Sequence, residues 1–333
     1  MEEEPLEATS PARAPARVGV AFLGCGRAAA MHSRTLSSLD RSVLRYYASR
    51  DPGRAREHAG RWAGEDAFVG YEAALRDDRV HVALVLTPPA SHLEWTLAAL
   101  QAGKHVIVEK PAFLRSSDFD RVRDAARGAE RAVMVAENYH YKPIARALRR
   151  LFRSGTLGRI LFLHVNAVKR QRAEGWRTDP SLAGGGALFE GGIHWISLLA
   201  HLGPEVRSVR AAVPDGTGPE ASVALVLEYE GGALGTLSYS WEVPSLPGGL
   251  RLSRVYGTEG SATFESNGLF LATVGRRWRL GFPGLRDLLG YRAMFADFLG
   301  ALREGREPDF RLEHARRDVE LVEEAYRSAG TLG

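Results

Sequence analysis

Short apolar segments that alternate with helical ones constrain the first part of this chain more than any other feature. Buried strands are predicted over Val18–Leu23 and over 44–48, 82–86, 105–108 and 133–136. Helical patterns fill the intervals, beginning near residues 28, 52, 91 and 117. Parallel strands joined by helices need right-handed crossovers, and their sheets are covered on both faces. The pattern therefore predicts an α/β fold with a doubly wound parallel sheet over residues 17–137.

The pattern changes after Pro143. A helix over 144–152 and a strand over 160–168 precede a glycine-rich loop and a helix over 193–202. Five more strands are predicted over 206–213, 222–229, 234–241, 251–256 and 261–265, and two helices over 287–303 and 312–329. Consecutive strands favour a large, mainly antiparallel sheet with one open face. We therefore predict an α+β domain over residues 138–333 that binds substrate and forms oligomers, with terminal helices able to pack back on the first domain.

Charge and hydropathy limit the classes of partner. Net charge is +4, and arginine pairs such as Arg149-Arg150 and Arg276-Arg277 are spread along the chain. Scattered pairs are typical of solvated helix faces rather than of a nucleic-acid-binding stripe, so no nucleic-acid partner is expected. No segment reaches the roughly 18 apolar residues that span a membrane. The predicted partner is a small molecule.

The N-terminus and the cysteine content bear on location. Residues 1–16 begin with an acidic run and continue rich in alanine, proline and arginine, which predicts a disordered leader rather than a secretory signal. Cys25 is the single cysteine, which suits a reducing compartment, and we expect a cytoplasmic protein. Neither a cysteine set nor a His-Glu-x-x-His pattern indicates zinc, so no metal is expected.

A glycine motif, Gly24-x-Gly26-x-x-Ala29, follows the first strand and opens a helix. Glycines there permit a tight turn and close approach of a pyrophosphate, and the helix N-terminus favours negative charge. An ordinary strand–helix turn is the alternative, which the further strand–helix units disfavour. The motif therefore predicts a Rossmann dinucleotide-binding domain. The expected cofactor contacts in this loop are Gly24, Gly26, Arg27 and Ala28.

Two further loops extend the predicted cofactor site. Ser49 stands where an acidic residue would bind the adenosine 2′-hydroxyl, and Arg50 follows it. A hydroxyl and a guanidinium suit a 2′-phosphate, and Asp51 belongs to the next turn, so the pattern favours NADP(H) over NAD(H). Loops at the carboxyl ends of parallel strands line the ligand crevice. Thr87, Pro88 and His92 are therefore expected along the nicotinamide riboside, with an ordinary helix-capping turn as the alternative.

In combination these motifs resemble the Gfo/Idh/MocA family, named for glucose–fructose oxidoreductase, inositol dehydrogenase and rhizopine catabolism. The resemblance runs from Val18 to the C-terminal helix. It rests on the glycine loop, on Thr87-Pro88 with His92, and on segments 102–106, 109–111, 155–158 and 184–186. It implies an NAD(P)-binding Rossmann domain followed by an α/β domain whose open sheet often forms an oligomer interface. A homodimer or homotetramer is the expected assembly.

Lys110, in the corner Glu109-Lys110-Pro111, is the leading catalytic candidate. The resemblance implies that Lys110 lies near nicotinamide and substrate, and that Glu109 and Lys110 contact the cofactor. Oxidation of a secondary alcohol needs a proton acceptor, and burial can lower the pKa of a lysine from about 10.4. As a cation, Lys110 could instead polarise the substrate oxygen. The alternative is a lysine that pairs structurally with Glu109.

Glu190 and His194 form the second catalytic candidate. Four residues apart on a helix, they share a face, and such a pair can fix a tautomer or relay a proton. The resemblance implies that His194 contacts the reacting hydroxyl. The family usually has aspartate at the positions of Glu190 and Ser197, so the division of acid–base work between Lys110 and His194 stays open. Further substrate contacts are expected from Tyr139, Lys169, Trp176 and Arg177.

Three functions fit these residues. The first is an NAD(P)-dependent oxidoreductase that acts on a hydroxyl or ketone of a sugar, cyclitol or nucleotide-sugar. The second is a glycosidase that uses bound NAD for transient oxidation and elimination. The third is a non-catalytic nucleotide sensor, which intact Lys110 and His194 disfavour.

Overall fold

The computed structural model describes residues 12–13, 15–40, 42–214, 219–245 and 250–330. Most of the predicted leader, residues 1–11 and 14, lies outside the described residues. Two sheets organise the described chain, and none of its described helices combines the length and apolar character needed to cross a bilayer. The predicted α/β class, with one parallel and one mainly antiparallel sheet, is confirmed.

The first sheet has six parallel strands in the order β3-β2-β1-β4-β5-β6. The strands are β1 Val18–Leu23, β2 Val43–Ser49, β3 Asp66–Val69, β4 Val82–Val85, β5 His105–Val108 and β6 Val133–Val135. The helices are α1 Arg27–Leu39, α2 Pro52–Arg61, α3 Tyr71–Arg76, α4 His92–Gln101 and α5 Asp118–Ala129. The strand order reverses direction between β1 and β4, and such a point opens a ligand crevice at the carboxyl ends of the strands.

Strand β3 is an element that the sequence pattern missed. Its four residues are exposed or half-buried, so they show no apolar run. It pairs with β2 at the edge of the sheet, where one side of the strand meets solvent. An edge strand of this length is held by backbone pairing more than by its own side chains.

The second sheet has eight strands in the order β14-β13-β12-β11-β7-β10-β9-β8. The elements are α6 Asn138–Tyr141, α7 Pro143–Arg153, β7 Ile160–Val168, α8 Pro180–Ala183, α9 Ile193–Ala200, β8 Val206–Ala212, β9 Ser222–Tyr229, β10 Leu234–Ser240, β11 Leu252–Gly257, β12 Ser261–Glu265, β13 Leu271–Val274, β14 Arg279–Gly281, α10 Tyr291–Glu304 and α11 Leu312–Ser328. Only the β7–β10 pair is parallel among the described pairings. Along β7, Leu163 and Val165 are buried while Phe162 and His164 are exposed, so one face is covered and the other open.

The last two helices, α10 and α11, pack against helices that cover the first sheet. On α10, the rings of Tyr291 and Phe295 pack edge-on against His32 of α1, with centroids 5.5 and 5.2 Å apart. Arg303 of α10 contacts Asp40 at 2.6 Å, and this hydrogen bond lowers the pKa of Asp40 to about 2. Helix α10, which follows the second sheet in the chain, is therefore joined to α1 by aromatic and ionic contacts.

Candidate functional site

The turn after β1 is shaped to receive an anion. Gly24 has φ +121°, and a side chain there would crowd the Leu86 carbonyl. Gly26 is the N-cap of α1 and makes no side-chain cap, and a Cβ at that position would meet no atom within 4 Å. The first-turn amides of α1, from Arg27 and Ala28 onward, therefore lie beside open space, as a bound pyrophosphate requires. The residues present fit a dinucleotide.

The end of β2 carries the residues predicted for the adenosine ribose. Ser49 is largely buried, and its Oγ accepts a hydrogen bond from the Asp51 amide at 3.1 Å. The Asp51 carboxylate accepts from Gly53 N at 2.8 Å and caps α2, as the sequence indicates. Arg50 is exposed, and its charge acts against the burial that raises the pKa of Tyr71. The Asp51 carboxylate is therefore occupied as a helix cap, whereas Arg50 is exposed at the end of β2.

His92 joins two loops of the crevice instead of lining its surface. The ring is 1% exposed. Its Nε2 lies 2.7 Å from the Thr87 carbonyl, and its Nδ1 lies 2.9 Å from the Pro111 carbonyl. His92 therefore braces the turn after β4, with Thr87 and Pro88, against the corner after β5.

Lys110 stands at the carboxyl end of β5, and the Lys110–Pro111 peptide is cis. Its Nζ donates to the Glu190 carbonyl at 2.6 Å and lies 3.7 Å from Glu190 Oε1. Glu109 has other contacts: its carboxylate accepts from the Lys110 amide at 3.0 Å and lies 2.6 Å from His32 Nε2. The Lys110 ammonium is thus held by Glu190, 80 residues away in the chain, rather than by its neighbour.

Glu190 is the anionic centre of the cluster. It lies in a π-helical turn, Leu188–Gly192, that leads into α9. Arg177 Nε donates to Glu190 Oε1 at 2.9 Å, and the Arg177 guanidinium stacks 4.3 Å from the Trp176 ring. Burial raises the pKa of Glu190, but the Lys110 and Arg177 cations outweigh it and hold the pKa at about 2. Glu190 is therefore a stable carboxylate that positions two cations.

His194, in the first turn of α9, pairs with a different carboxylate from the one predicted. Its Nδ1 donates to Glu137, with oxygens at 2.8 and 2.9 Å. The predicted Glu190–His194 pair is wrong because the π-helical turn between them interrupts the regular spacing of an α-helix, and Glu190 is engaged with Lys110 and Arg177. Among the described residues His194 Nε2 has no hydrogen-bond partner, and it is not an enclosed atom.

The charges of Glu137 and Lys110 both act on the pKa of His194. Burial holds the pKa of His194 below its ordinary value, the Glu137 carboxylate partly offsets this, and the Lys110 cation lowers the pKa further. The ring also stacks on Tyr139, with centroids 4.2 Å apart and planes 10° from parallel. Lys110 and His194 therefore converge in one cluster at the carboxyl ends of the parallel strands.

Lys169 belongs to the same cluster. Burial lowers the pKa of Lys169, and the Arg251 and Lys110 cations lower it further while Glu190 opposes them. The four further residues predicted to contact substrate, namely Tyr139, Lys169, Trp176 and Arg177, thus lie around Glu190 and His194.

Glu137, Lys142 and Arg251 are cluster residues that sequence reasoning missed. Glu137 comes two residues after the end of β6, and a polar residue at the carboxyl end of a strand was the signal that could have found it. Lys142 is buried, with Nζ 4.1 Å from the Tyr139 ring, and burial lowers the pKa of Lys142 to about 8. Arg251 donates to Asn267 Oδ1 at 2.5 Å. Nothing local in the sequence marks Lys142 or Arg251, since only the fold brings them here.

A parallel sheet of order 3-2-1-4-5-6, an open glycine turn after β1 and an ionisable cluster at the carboxyl ends of its strands define a dinucleotide-binding protein with a second, mainly antiparallel sheet. Two family models match the chain: the oxidoreductase family with an NAD-binding Rossmann fold over residues 18–137, and the GFO/IDH/MocA C-terminal domain over residues 145–263. The chain belongs to the Gfo/Idh/MocA family.

Two similar proteins have names that give a carbohydrate substrate. A dTDP-3,4-didehydro-2,6-dideoxy-alpha-D-glucose 3-reductase from Saccharopolyspora spinosa is 31% identical over 236 residues, 69% of either chain. Levoglucosan dehydrogenase from Pseudarthrobacter phenanthrenivorans is 26% identical over 254 residues, and the match spans 67% of this chain and 65% of the relative's length. The crystal structure of an oxidoreductase domain protein from Kribbella flavida superposes with a TM-score of 0.85 at 20% identity, covering 96% of this chain and 98% of that one. That last likeness concerns the fold.

Proposed function

We propose that this protein is an NAD(P)-dependent oxidoreductase acting on a secondary hydroxyl or ketone of a sugar, cyclitol or nucleotide-sugar. Family membership and the carbohydrate-directed names of its relatives support the substrate class. The observation that carries the proposal is the convergence of Lys110, held by Glu190, and His194, held by Glu137, at the carboxyl edge of the parallel sheet. When bound there, the nicotinamide ring supplies or accepts the hydride.

His194 is proposed as the group that handles the proton. Because the Glu137 carboxylate accepts a hydrogen bond from Nδ1–H, the neutral ring keeps its proton on Nδ1 and its lone pair on Nε2. In alcohol oxidation the hydroxyl proton passes to Nε2 as the carbon loses hydride and the C=O bond forms. Carbonyl reduction runs in reverse, with the imidazolium returning the proton.

Lys110 is proposed to act through its charge. Its Nζ donates to the Glu190 carbonyl at 2.6 Å and lies 3.7 Å from Glu190 Oε1, so Glu190 holds the ammonium in place. A remaining N–H directed at the substrate oxygen would stabilise the negative charge that develops there. This division gives the two groups separate tasks in one step.

Tyr139 and Trp176 are proposed to contact the substrate in different ways. Both His194 and the Lys142 ammonium contact the ring of Tyr139, and burial raises the pKa of Tyr139 to about 12. We infer that Tyr139 offers a hydroxyl donor to substrate rather than a stacking face. Trp176, held by Arg177, is the residue proposed to pack on a sugar ring.

A substrate panel tests the proposed activity. Reduced-nicotinamide absorbance should change when the protein meets NADP(+) or NAD(+) with a secondary-alcohol sugar or cyclitol, or NADPH with a keto-sugar. Cofactor binding without turnover across the panel would instead indicate the sensor function. Glycoside cleavage with no net change in added nicotinamide would indicate the glycosidase.

NADP(H) is the cofactor we propose as preferred, from Ser49 and the exposed Arg50. In Arg50→Ala the affinity for NADPH should fall much more than that for NADH, because only NADPH carries the 2′-phosphate. Arg56→Ala, an exposed arginine later on α2, is the matched control and should leave both affinities unchanged. Equal losses for the two cofactors in Arg50→Ala would contradict the assignment.

Self-association through the open face of the second sheet is also proposed, as a homodimer or homotetramer. Partly exposed apolar residues share that face across paired strands: Phe162 of β7 lies opposite Leu234 of β10, and Val226 of β9 is in the next row. An apolar sheet face of this kind is typical of a subunit interface.

A further inference from the structure

A cavity of about 1240 Å³ lies away from the cluster at Lys110 and His194. Its walls are the end of α5, one face of α7 and segment 305–314, which runs from the end of α10 into the first turn of α11, and we call it the arginine groove. It also borders Ala132 and Val133, where β6 begins, whereas Glu137 follows the other end of that strand. The groove therefore opens at the amino ends of the parallel strands, and the candidate active site lies at their carboxyl ends.

Arginines dominate the lining of the groove. Nine of them face four carboxylates among the lining residues. On α7, Arg146, Arg149, Arg150 and Arg153 follow the i, i+3, i+4, i+7 spacing of a single helix face. The pair Arg149-Arg150, interpreted from sequence as an ordinary solvated face, is thus part of a continuous cationic stripe.

Most of these cations have no carboxylate of their own. Arg123, Arg306 and Arg311 are ion-paired, with Asp120, Asp297 and Glu307 respectively. Among the residues that the structure describes, the other six arginines of the groove have no carboxylate oxygen within 4.0 Å. Those six are Arg127, Arg131, Arg146, Arg149, Arg150 and Arg153.

Burial and neighbouring cations lower the pKa values of two residues that line the groove. Burial lowers the pKa of Arg149 to about 10, and the charges of Arg153 and Arg146 lower it further. Burial also lowers the pKa of His314 to about 4, with His201 and Arg311 adding to the effect. A concave surface lined by one sign of charge concentrates counter-ions, so the groove should attract anions strongly.

We propose that the arginine groove binds a compact polyanion carrying several phosphate or carboxylate groups. Its volume of about 1240 Å³ is somewhat larger than the roughly 300–1,000 Å³ of typical small-molecule pockets, so a compact polyanion fits inside it. Among the described residues that line it, only His140, His314 and Pro308 carry rings, so this lining offers none of the Trp, Tyr and Phe platforms on which single-stranded nucleic acids stack. Guanidinium groups pair bidentately with phosphate and carboxylate, which suits a dense cluster of such groups.

The site also touches a segment of the candidate active site. His140 lines the groove, and its neighbour Tyr139 stacks on His194. Arg149 Nη2 donates to the His140 carbonyl at 2.6 Å. One short helix, α6, thus has a residue in each site, although the proposal concerns binding and does not depend on the proposed activity.

Calorimetric titration with inorganic tripolyphosphate tests the proposal, using protein saturated with NADPH so that the glycine turn is already filled. We expect one tripolyphosphate per chain. The variant Arg146→Gln/Arg150→Gln removes two exposed groove cations and should weaken binding tenfold or more. Arg276→Gln/Arg277→Gln removes two exposed cations from the β13–β14 turn and should change the affinity less than twofold.

Three results would overturn the proposal: no binding by the wild-type protein, equal weakening in the two double variants, or unchanged binding in the groove variant. Thermal unfolding of each variant ensures that a lost fold is not mistaken for a lost site. A 20-nucleotide single strand that displaces tripolyphosphate at lower concentration would also overturn it, since the groove would then serve nucleic acid.

Discussion

At the scale of single residues, two carboxylates separate two tasks. Glu190 holds Lys110 and Arg177, and Glu137 holds His194. Glu190 fixes the positions of two cations, whereas the carboxylate beside His194 Nδ1 selects a tautomer and leaves Nε2 to exchange protons. The proposed mechanism therefore makes different predictions for Lys110 and for Glu137.

Replacing Lys110 tests its electrostatic role. In Lys110→Ala, turnover should fall by about two orders of magnitude or more, while NADP(H) binding persists. Turnover is measured by nicotinamide absorbance and cofactor binding by fluorescence titration. Lys104→Ala is the control. The Lys104 ammonium donates to the Asp77 carbonyl at the amino ends of the parallel strands and has no role in the proposed mechanism. Turnover retained in Lys110→Ala would remove the residue from the reaction.

Replacing Glu137 tests whether it positions His194. The carboxylate raises the pKa of His194 against the effect of burial, so Glu137→Gln should lower that pKa further. The proton acceptor is the neutral imidazole, and the acid limb of kcat/KM for alcohol oxidation should therefore move to lower pH. The plateau should also fall, because the tautomer is no longer selected.

The pH profile distinguishes positioning from support of the fold. Glu137→Asp keeps the charge and should return the acid limb toward its wild-type position. A plateau that falls in Glu137→Gln while the acid limb stays in place would mean that Glu137 acts only through stability.

At the scale of elements, the segment 184–192 sets the position of Glu190. Its backbone is tied to a buried carboxylate: Leu188 N donates to Glu220 Oε1 at 2.7 Å, and Tyr326 Oη donates to the same oxygen at 2.9 Å. Gly186 N donates to Tyr326 Oη at 3.2 Å. Residues of α11 and of the β8–β9 connection thus determine where the π-helical turn begins.

A methyl group at residue 186 should disturb that arrangement. In Gly186→Ala the new Cβ would overlap the Glu220 carboxylate and carbonyl, so the segment or Glu220 must shift. We expect a loss of about 1–3 kcal/mol in the free energy of unfolding, together with reduced turnover because Glu190 moves. Urea denaturation and the activity assay measure the two effects.

Gly128→Ala is the matched control. A Cβ at Gly128, within α5, would meet nothing within 4 Å. This substitution should be neutral or stabilise by up to about 1 kcal/mol, since alanine restricts the unfolded chain. Equal effects at the two glycines would show that the contacts of segment 184–192 do not govern the site.

At the scale of the whole molecule, the open sheet face predicts self-association. Phe162→Glu should reduce the molecular mass measured by light scattering after size-exclusion chromatography, because a charge would be buried in the proposed interface. Val69→Glu, at a 63% exposed residue on the edge of the parallel sheet, is the control and should leave the mass unchanged. A monomeric wild-type protein would contradict the proposal.

The fold was largely readable from sequence where the signals are local. Buried strands such as β1 and β4 show as apolar runs, and Gly24 and Gly26 mark the turn after β1. Strand β3 escaped because an exposed edge strand has no apolar run, and α10 begins at Tyr291 rather than near 287 because Gly290, at φ +80°, precedes it. Elements held by pairing or by a neighbouring turn leave a weaker local signal.

By itself the sequence determined the doubly wound sheet, the glycine turn, the corner at Lys110 and the family, since each depends on residues close together in the chain. Only the tertiary structure decided the partners: Glu190 for Lys110, 80 residues apart, and Glu137 for His194, 57 residues apart. The same is true of the arginine groove, whose walls come from three separate segments. Periodicity encodes burial and turns, but which charges meet depends on long-range packing, and a local pattern does not contain it.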